Sequence, residues 1–159
     1  MRKLFRRWRG EEGAQIIEFA LVLPMLLLVV LGIAEFGFIF QRYEVLTNAA
    51  REGARMAVLP GYNTAAARDG IRARVRAYLQ AGRVPITAGT PPASIVTIDF
   101  ADDTVAIGGG LPNVPVRRVT ITYTYSYAFL PGIGGWFGNT YTTIPLTAVS
   151  EMRVEAAGL

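Results

Sequence analysis

The stretch Phe19-Ala20-Leu21-Val22-Leu23-Pro24-Met25-Leu26-Leu27-Leu28-Val29-Val30-Leu31-Gly32-Ile33-Ala34 holds sixteen residues without a charge. Coiled as a helix at about 1.5 Å per residue, it covers about 24 Å. If Glu18 and Glu35 are tolerated, the mostly apolar run extends from Ala14 to Phe40. That is about 40 Å of helix, so the two lengths bracket the ~30 Å hydrocarbon core of a bilayer. One transmembrane helix over residues 14–40 is predicted. Pro24 lies inside it, removes one backbone hydrogen bond and favours a kink, which membrane helices tolerate because neighbouring groups compensate.

Working outward toward the N-terminus, Arg2, Lys3, Arg6, Arg7 and Arg9 place five of the sixteen basic residues in the first nine positions. Basic flanks resist translocation, so residues 1–13 read as a cytoplasmic leader and the C-terminal part as lying outside. The expected location is the cytoplasmic (inner) membrane, crossed once. A secretory signal peptide is the competing reading. It calls for a shorter apolar region and a small-residue cleavage site, whereas this run ends in Glu35-Phe36-Gly37-Phe38-Ile39-Phe40 and continues into Gln41-Arg42-Tyr43-Glu44.

Composition narrows the function. The chain has 159 residues, 52% of them hydrophobic, with a mean hydropathy of +0.33 and a formal charge of +4. Most of that excess charge sits in the leader, which explains it without nucleic acid as a partner. With no cysteine there is no disulfide, thiolate nucleophile or Cys-based metal site. The absence of histidine removes the commonest general base near neutral pH and the commonest metal ligand. Ser94, Ser126 and Ser150 are the only serines, and a Ser-His-Asp triad cannot be built from them. The reading is of a non-enzyme, with no catalytic residue, cofactor or metal assigned.

Glu18 needs a reason, because an ionisable residue near the end of a spanning helix costs free energy and usually has a partner or a task. In Gly13-Ala14-Gln15-Ile16-Ile17-Glu18-Phe19, with Ala14 counted first, Glu18 is fifth and Phe19 sixth. With a basic leader before it and an apolar helix after it, this spacing resembles the processing site of type IV prepilins and pseudopilins. A glycine before the cut offers no side chain to obstruct a protease. The resemblance implies cleavage between Gly13 and Ala14 by a prepilin peptidase, making Gly13, Ala14, Glu18 and Phe19 the processing residues. The new Ala14 ammonium could then be neutralised by Glu18 of a neighbouring subunit.

A narrower resemblance runs further. Glu18-Phe19-Ala20-Leu21-Val22-Leu23-Pro24, then Leu31-Gly32-Ile33-Ala34-Glu35-Phe36-Gly37, then Thr47-Asn48-Ala49-Ala50-Arg51-Glu52-Gly53-Ala54-Arg55 is similar to the TadE-like family, minor pseudopilins of tight-adherence (Tad, or Flp) pilus systems. The similarity covers about residues 13–57, and Glu18, Pro24 and Glu35 are its candidate assembly positions.

Beyond the membrane, residues 41–59 continue the helix as a stalk, with Tyr43, Leu46, Ala50, Ala54 and Val58 at helical spacing. Leu59-Pro60-Gly61 breaks it. Residues 60–159 read as the extracytoplasmic domain. A second helix is predicted from Thr64 to Ala81, with Ala67, Ile71, Val75 and Tyr78 or Leu79 as its apolar stripe and Gly82 as its stop. Arg68, Arg72 and Arg76 read as a solvated outer face. After Pro91-Pro92 the period becomes that of strands. Ser94–Phe100 and Thr104–Ile107 would form a hairpin around Ala101-Asp102-Asp103. Val119 to Phe129 alternates most clearly, and a last strand runs from about Tyr141 to Val154, interrupted or edged at Pro145. The fold class is α+β and pilin-like: long helix, second helix and a small antiparallel sheet of about four strands.

Three further groups attract a functional reading. Asp99, Asp102 and Asp103 lack the spacing of a calcium loop and read as turn residues. Gly108-Gly109-Gly110 lacks the Lys-Ser/Thr of a phosphate loop. The loop from Pro131 to Gly138, with Trp136-Phe137, is either a contact surface or packed beneath itself.

The expected function is that of a minor pilin-like component of Tad pilus assembly or a related secretion machine, contributing to pilus biogenesis and surface adhesion. Implied partners are a prepilin peptidase, major Flp pilins, other pseudopilins, an inner-membrane assembly platform and membrane lipid. The alternative is an uncleaved single-pass protein whose outer domain binds a ligand or the envelope.

Overall fold

The computed structural model describes residues 11–60, 64–86, 96–106, 109, 113–129, 131–132, 138 and 142–154. Its elements follow in the order α1 (Glu11–Ala57), α2 (Ala65–Ala81), β1 (Val96–Val105), β2 (Val114–Ser126) and β3 (Thr143–Arg153). The basic leader up to residue 10, Pro91-Pro92, Trp136-Phe137 and Tyr141 lie outside the described residues.

At 47 residues, α1 is about 70 Å long, far longer than one bilayer, and it runs unbroken through Pro24. Ile16, Leu21, Met25, Val29 and Ile33 are all exposed. From Glu35 onward the same helix is packed, and Leu46, Ala49, Ala50, Ala54 and Ala57 are buried. The stalk is thus the spine of the C-terminal domain. Its buried side is rotated from the predicted stripe: Leu46, Ala50 and Ala54 keep their places, but Tyr43 is exposed and Ala49 and Ala57 enter the core. Small residues on this side let two other elements approach the backbone closely.

The first of these is α2. Thr64 caps it, its hydroxyl accepting the Ala67 amide, which satisfies one of the free donors of the first turn. Ile71, Val75 and Leu79 are buried against α1, whereas Tyr78 is exposed. Gly82 ends the helix as expected, for a reason of packing. Its φ is an ordinary −76°, but a Cβ there would lie 2.4 Å from Val45. Arg83 takes the left-handed turn instead, at φ 56°. Gly53 has the same packing role on α1, where a Cβ would meet Val75 at 3.0 Å and Val119 at 3.3 Å. That glycine marks the junction of α1, α2 and the sheet.

The sheet is antiparallel with order β1-β2-β3. Val119, Ile121, Tyr123 and Tyr125 of β2, with Leu146 and Ala148 of β3, face the helices. Among the described residues there are three strands, so the expected count of about four is corrected. The reason is electrostatic. Ala101, Asp102 and Asp103 form no turn; they sit inside β1 opposite Arg118, Arg117 and Val116. Asp102 pairs with Arg117 at 3.3 Å and Asp103 with Arg118 at 2.9 Å. Opposite charges across a strand pair hold these aspartates extended despite their preference for turns. Pro145 stands opposite Thr124 in β3, an edge strand, where its missing N–H is tolerated.

Candidate functional site at the root of the α+β domain

The processing residues lie near the start of α1. Gly13 is half-buried, and Ala14, Glu18 and Phe19 are exposed. Among the described residues Glu18 has no hydrogen bond or ion pair, so its carboxylate is presented outward from the helix. Pro24 is likewise exposed. Glu35 differs from both, being only 2% exposed. Seventeen positions beyond Glu18, it lies about 25 Å further along the axis, so the fold does not bring the candidate assembly residues together.

What Glu35 does is visible in its partners. Its Oε1 accepts the hydroxyl of Tyr125 at 2.8 Å and the amide of Ala128 at 2.9 Å. Its Oε2 accepts the amide of Phe129 at 2.8 Å and that of Ala128 at 3.2 Å. One side chain of the long helix therefore receives the end of β2 and the chain leaving it. A carboxylate is suited to this, because it is acceptor-only and its two oxygens can take several donors at once. Hydrogen bonds to an ionised acceptor are also roughly twice as strong as neutral ones. Burial, and then the hydrogen bond to the Glu35 carboxylate, push the Tyr125 hydroxyl up to about 12. Beside it, Phe38 of α1 stacks on Phe129 with ring centroids 6.2 Å apart.

Two arginines close the remaining ends. Arg42 donates to the carbonyls of Gly82, at 3.3 Å, and Arg83, placing a cation at the C-terminal end of α2 where the helix dipole favours it. Arg117 does the same for α1 at the carbonyl of Ala57. On the outer surface Arg55 and Arg74 flank Glu52, and the Arg55 hydrogen bond holds the Glu52 carboxyl below its ordinary range. The expected solvated arginine face of α2 is corrected as well. Arg68 reaches Asp102 at 3.3 Å, and Arg72 lies over the Phe100 ring at 5.2 Å while pairing with Asp69. Both lie on the side of α2 turned toward β1.

No group of three or more His, Cys, Asp or Glu that could hold a metal ion occurs among the described residues. Asp99 and Asp103 share one face of β1, with Asp102 on the other, as strand alternation requires.

Residues 13–55 match the model of the TadE-like protein family. The matched segment ends inside α1, and no curated protein and no solved structure matches the chain. The TadE-like family is one of pilus-associated structural components, and the match supports a Tad pilus-related function. In structural terms the TadE-like segment has two parts. One is an exposed apolar helix, long and apolar enough to cross a membrane. The other is a row of buried residues, Glu35, Ala49, Ala50, Gly53 and Ala54, on which the rest of the domain is built. The sequence marked Glu35 as unusual without its role. Tyr125, Arg42 and Arg117 carried no signal beyond their strand or helix positions, because their partners are 40 to 90 residues away in sequence.

Proposed function

We propose that this protein is a membrane-anchored, pilin-like minor subunit of a Tad pilus or a related secretion assembly, inserted with its N-terminus in the cytoplasm and its α+β domain outside. The observation that carries this reading is the pairing, on one unbroken helix, of an exposed apolar half beginning Gly13-Ala14-Gln15-Ile16-Ile17-Glu18 with a half whose one side is buried in the domain core. A helix of this kind anchors the domain and leaves its apolar half for lateral packing with other subunits. Glu18, outward-facing and without a partner among the described residues, would neutralise the Ala14 ammonium of a neighbour after cleavage. In this reading Glu35 fixes the domain to its anchor rather than joining subunits. A prepilin peptidase, major Flp pilins, other pseudopilins and an inner-membrane platform are the partners. The domain is presented for assembly or adhesion.

Intact-mass spectrometry of the protein from its native host, with and without the prepilin peptidase, tests the reading. A chain that begins at Ala14 only when the peptidase is present is the expected result. A chain retaining residues 1–13 in both strains would favour the uncleaved, single-pass alternative.

A further inference from the structure

We infer that the outer domain is seated in the outer leaflet of the membrane by an aromatic collar, Phe36, Phe40 and Phe129, and does not stand clear of the bilayer. The inference rests on the membrane-anchor reading and adds to it a lipid contact made by the domain itself.

Three observations lead to it. The first is length. The stretch of α1 that precedes the domain's grip at Glu35, residues 14–34, is 21 residues or about 32 Å, which matches the hydrocarbon core and leaves no helix to spare as a spacer. The polar headgroup layer adds about 5–8 Å on each side, reaching the level of residues 35–40.

The second is the continuity of the apolar surface. Between Phe19 and Phe40 the sole charged residue is Glu35, and its carboxylate is turned inward under Tyr125, Ala128 and Phe129. The exposed surface of α1 therefore passes without a charge from Val30 and Ile33 to Phe36, 75% exposed, and Phe40, 64% exposed. A lipid surface covers such a patch with no change of chemistry from the span below it. Phenylalanine rings suit this depth, because interfacial apolar faces rich in Trp, Phe and Leu bury about 5–10 Å into the boundary between headgroups and acyl chains.

The third observation comes from a different part of the chain. The end of β2 is tied to the helix at this level, and Phe129, 37% exposed, projects there against Phe38. The amide of Tyr127 donates to Thr142, so the β2–β3 connection begins and ends at the membrane-facing end of the sheet. In sequence that connection, residues 127–142, contains no charged residue. At the opposite end of the sheet, Asp102, Asp103, Arg118 and Glu151 are exposed or half-exposed and charged. The domain is thus polarised along the axis of its own anchor.

Because the chain has no cysteine, single nitroxide labels can be placed without background. Full-length protein in phosphatidylcholine vesicles would carry one label at a time through Met25→Cys, Phe36→Cys, Phe40→Cys, Phe129→Cys or Thr104→Cys. Collision with oxygen, which partitions into lipid, is then compared with collision with a water-soluble nickel chelate. Labels at 36, 40 and 129 should show an oxygen-to-nickel ratio several-fold above that at Thr104, approaching that at Met25. If these three match Thr104 while Met25 stays in lipid, the seat is wrong and the anchor stands. A label at Met25 that is open to nickel overturns both. Protection of 40 and 129 from both reagents would indicate a protein neighbour and overturn the lipid assignment. Among the described residues Phe36 and Phe40 make no ring contact, so their variants keep the test valid if loss of the Phe38–Phe129 contact perturbs Phe129→Cys.

Discussion

Along α1, residues 14–34 and residues 35–57 belong to one helix yet have opposite logic. In the first half the bulky side chains, Leu21, Met25 and Leu28 among them, point away from the protein. In the second half the inward side is mostly Ala and Gly, and the bulk is supplied by Ile71, Val75, Val119 and Ile121 from elsewhere. In the membrane-anchor reading, the contrast reflects what each half would be solvated by. A helix facing lipid can fill its own surface with Leu and Val, because lipid tails adapt to it. A helix facing packed protein gives up volume where other elements must come close, because interiors are filled to crystal-like density.

The strongest way to break this comparison is to make one substitution in both halves. Leu46→Ala should destabilise the outer domain by about 2–5 kcal/mol, the usual cost of a cavity at a fully buried leucine, whereas Leu28→Ala should leave its stability unchanged. Chemical denaturation of the detergent-solubilised protein, followed by circular dichroism, would show it. Equal losses would mean that the two halves are not solvated differently.

A smaller effect sharpens the same contrast with two carboxylates. Glu35→Ala leaves the Tyr125 hydroxyl and two backbone amides without their acceptor, at about 1–3 kcal/mol for a buried donor left unpaired, and should speed hydrogen exchange at Ala128 and Phe129. Glu18→Ala should do neither and should act on assembly alone. Tyr125 adds a pH signature. Its folded value is raised to about 12 from the usual 10, so its contribution is fully present below pH 10 and is lost as pH rises toward 12. The unfolded chain releases that proton first, and stability therefore falls across this window. Tyr125→Phe should flatten that part of the alkaline limb.

The smallest expected effect lies furthest from Glu35. Asp102→Asn removes the charge of an exposed carboxylate that pairs with Arg68 and Arg117 and should cost less than about 1 kcal/mol, with the difference shrinking in high salt. A loss as large as that of Glu35→Ala would mean that the distal charge ladder, and not the root, fastens the sheet.

Much of this architecture was legible in the residues because it rests on local rules. The apolar run, the extent of α2 from about Thr64 to its stop at Gly82, the alternation of β2 and the special position of Pro145 each follow from spacing or backbone chemistry that a few neighbouring residues carry. The misreadings share one cause, which is that a distant partner overrode a local preference. Asp102-Asp103 reads as a turn until Arg117 and Arg118 are set across from it. Arg68 and Arg72 read as a solvated face until β1 arrives beside them.

By itself the sequence determined the long apolar helix, the order of elements and the positions of Gly13, Ala14 and Glu18, because hydrophobic length and period are properties of the chain in one dimension. Only the tertiary structure decided that Glu35 is a fastening, that Gly53 is a three-way junction and that the charged face of α2 turns toward a strand. Those roles are defined by atoms separated by tens of residues, which meet only once the sheet has folded back onto the helix.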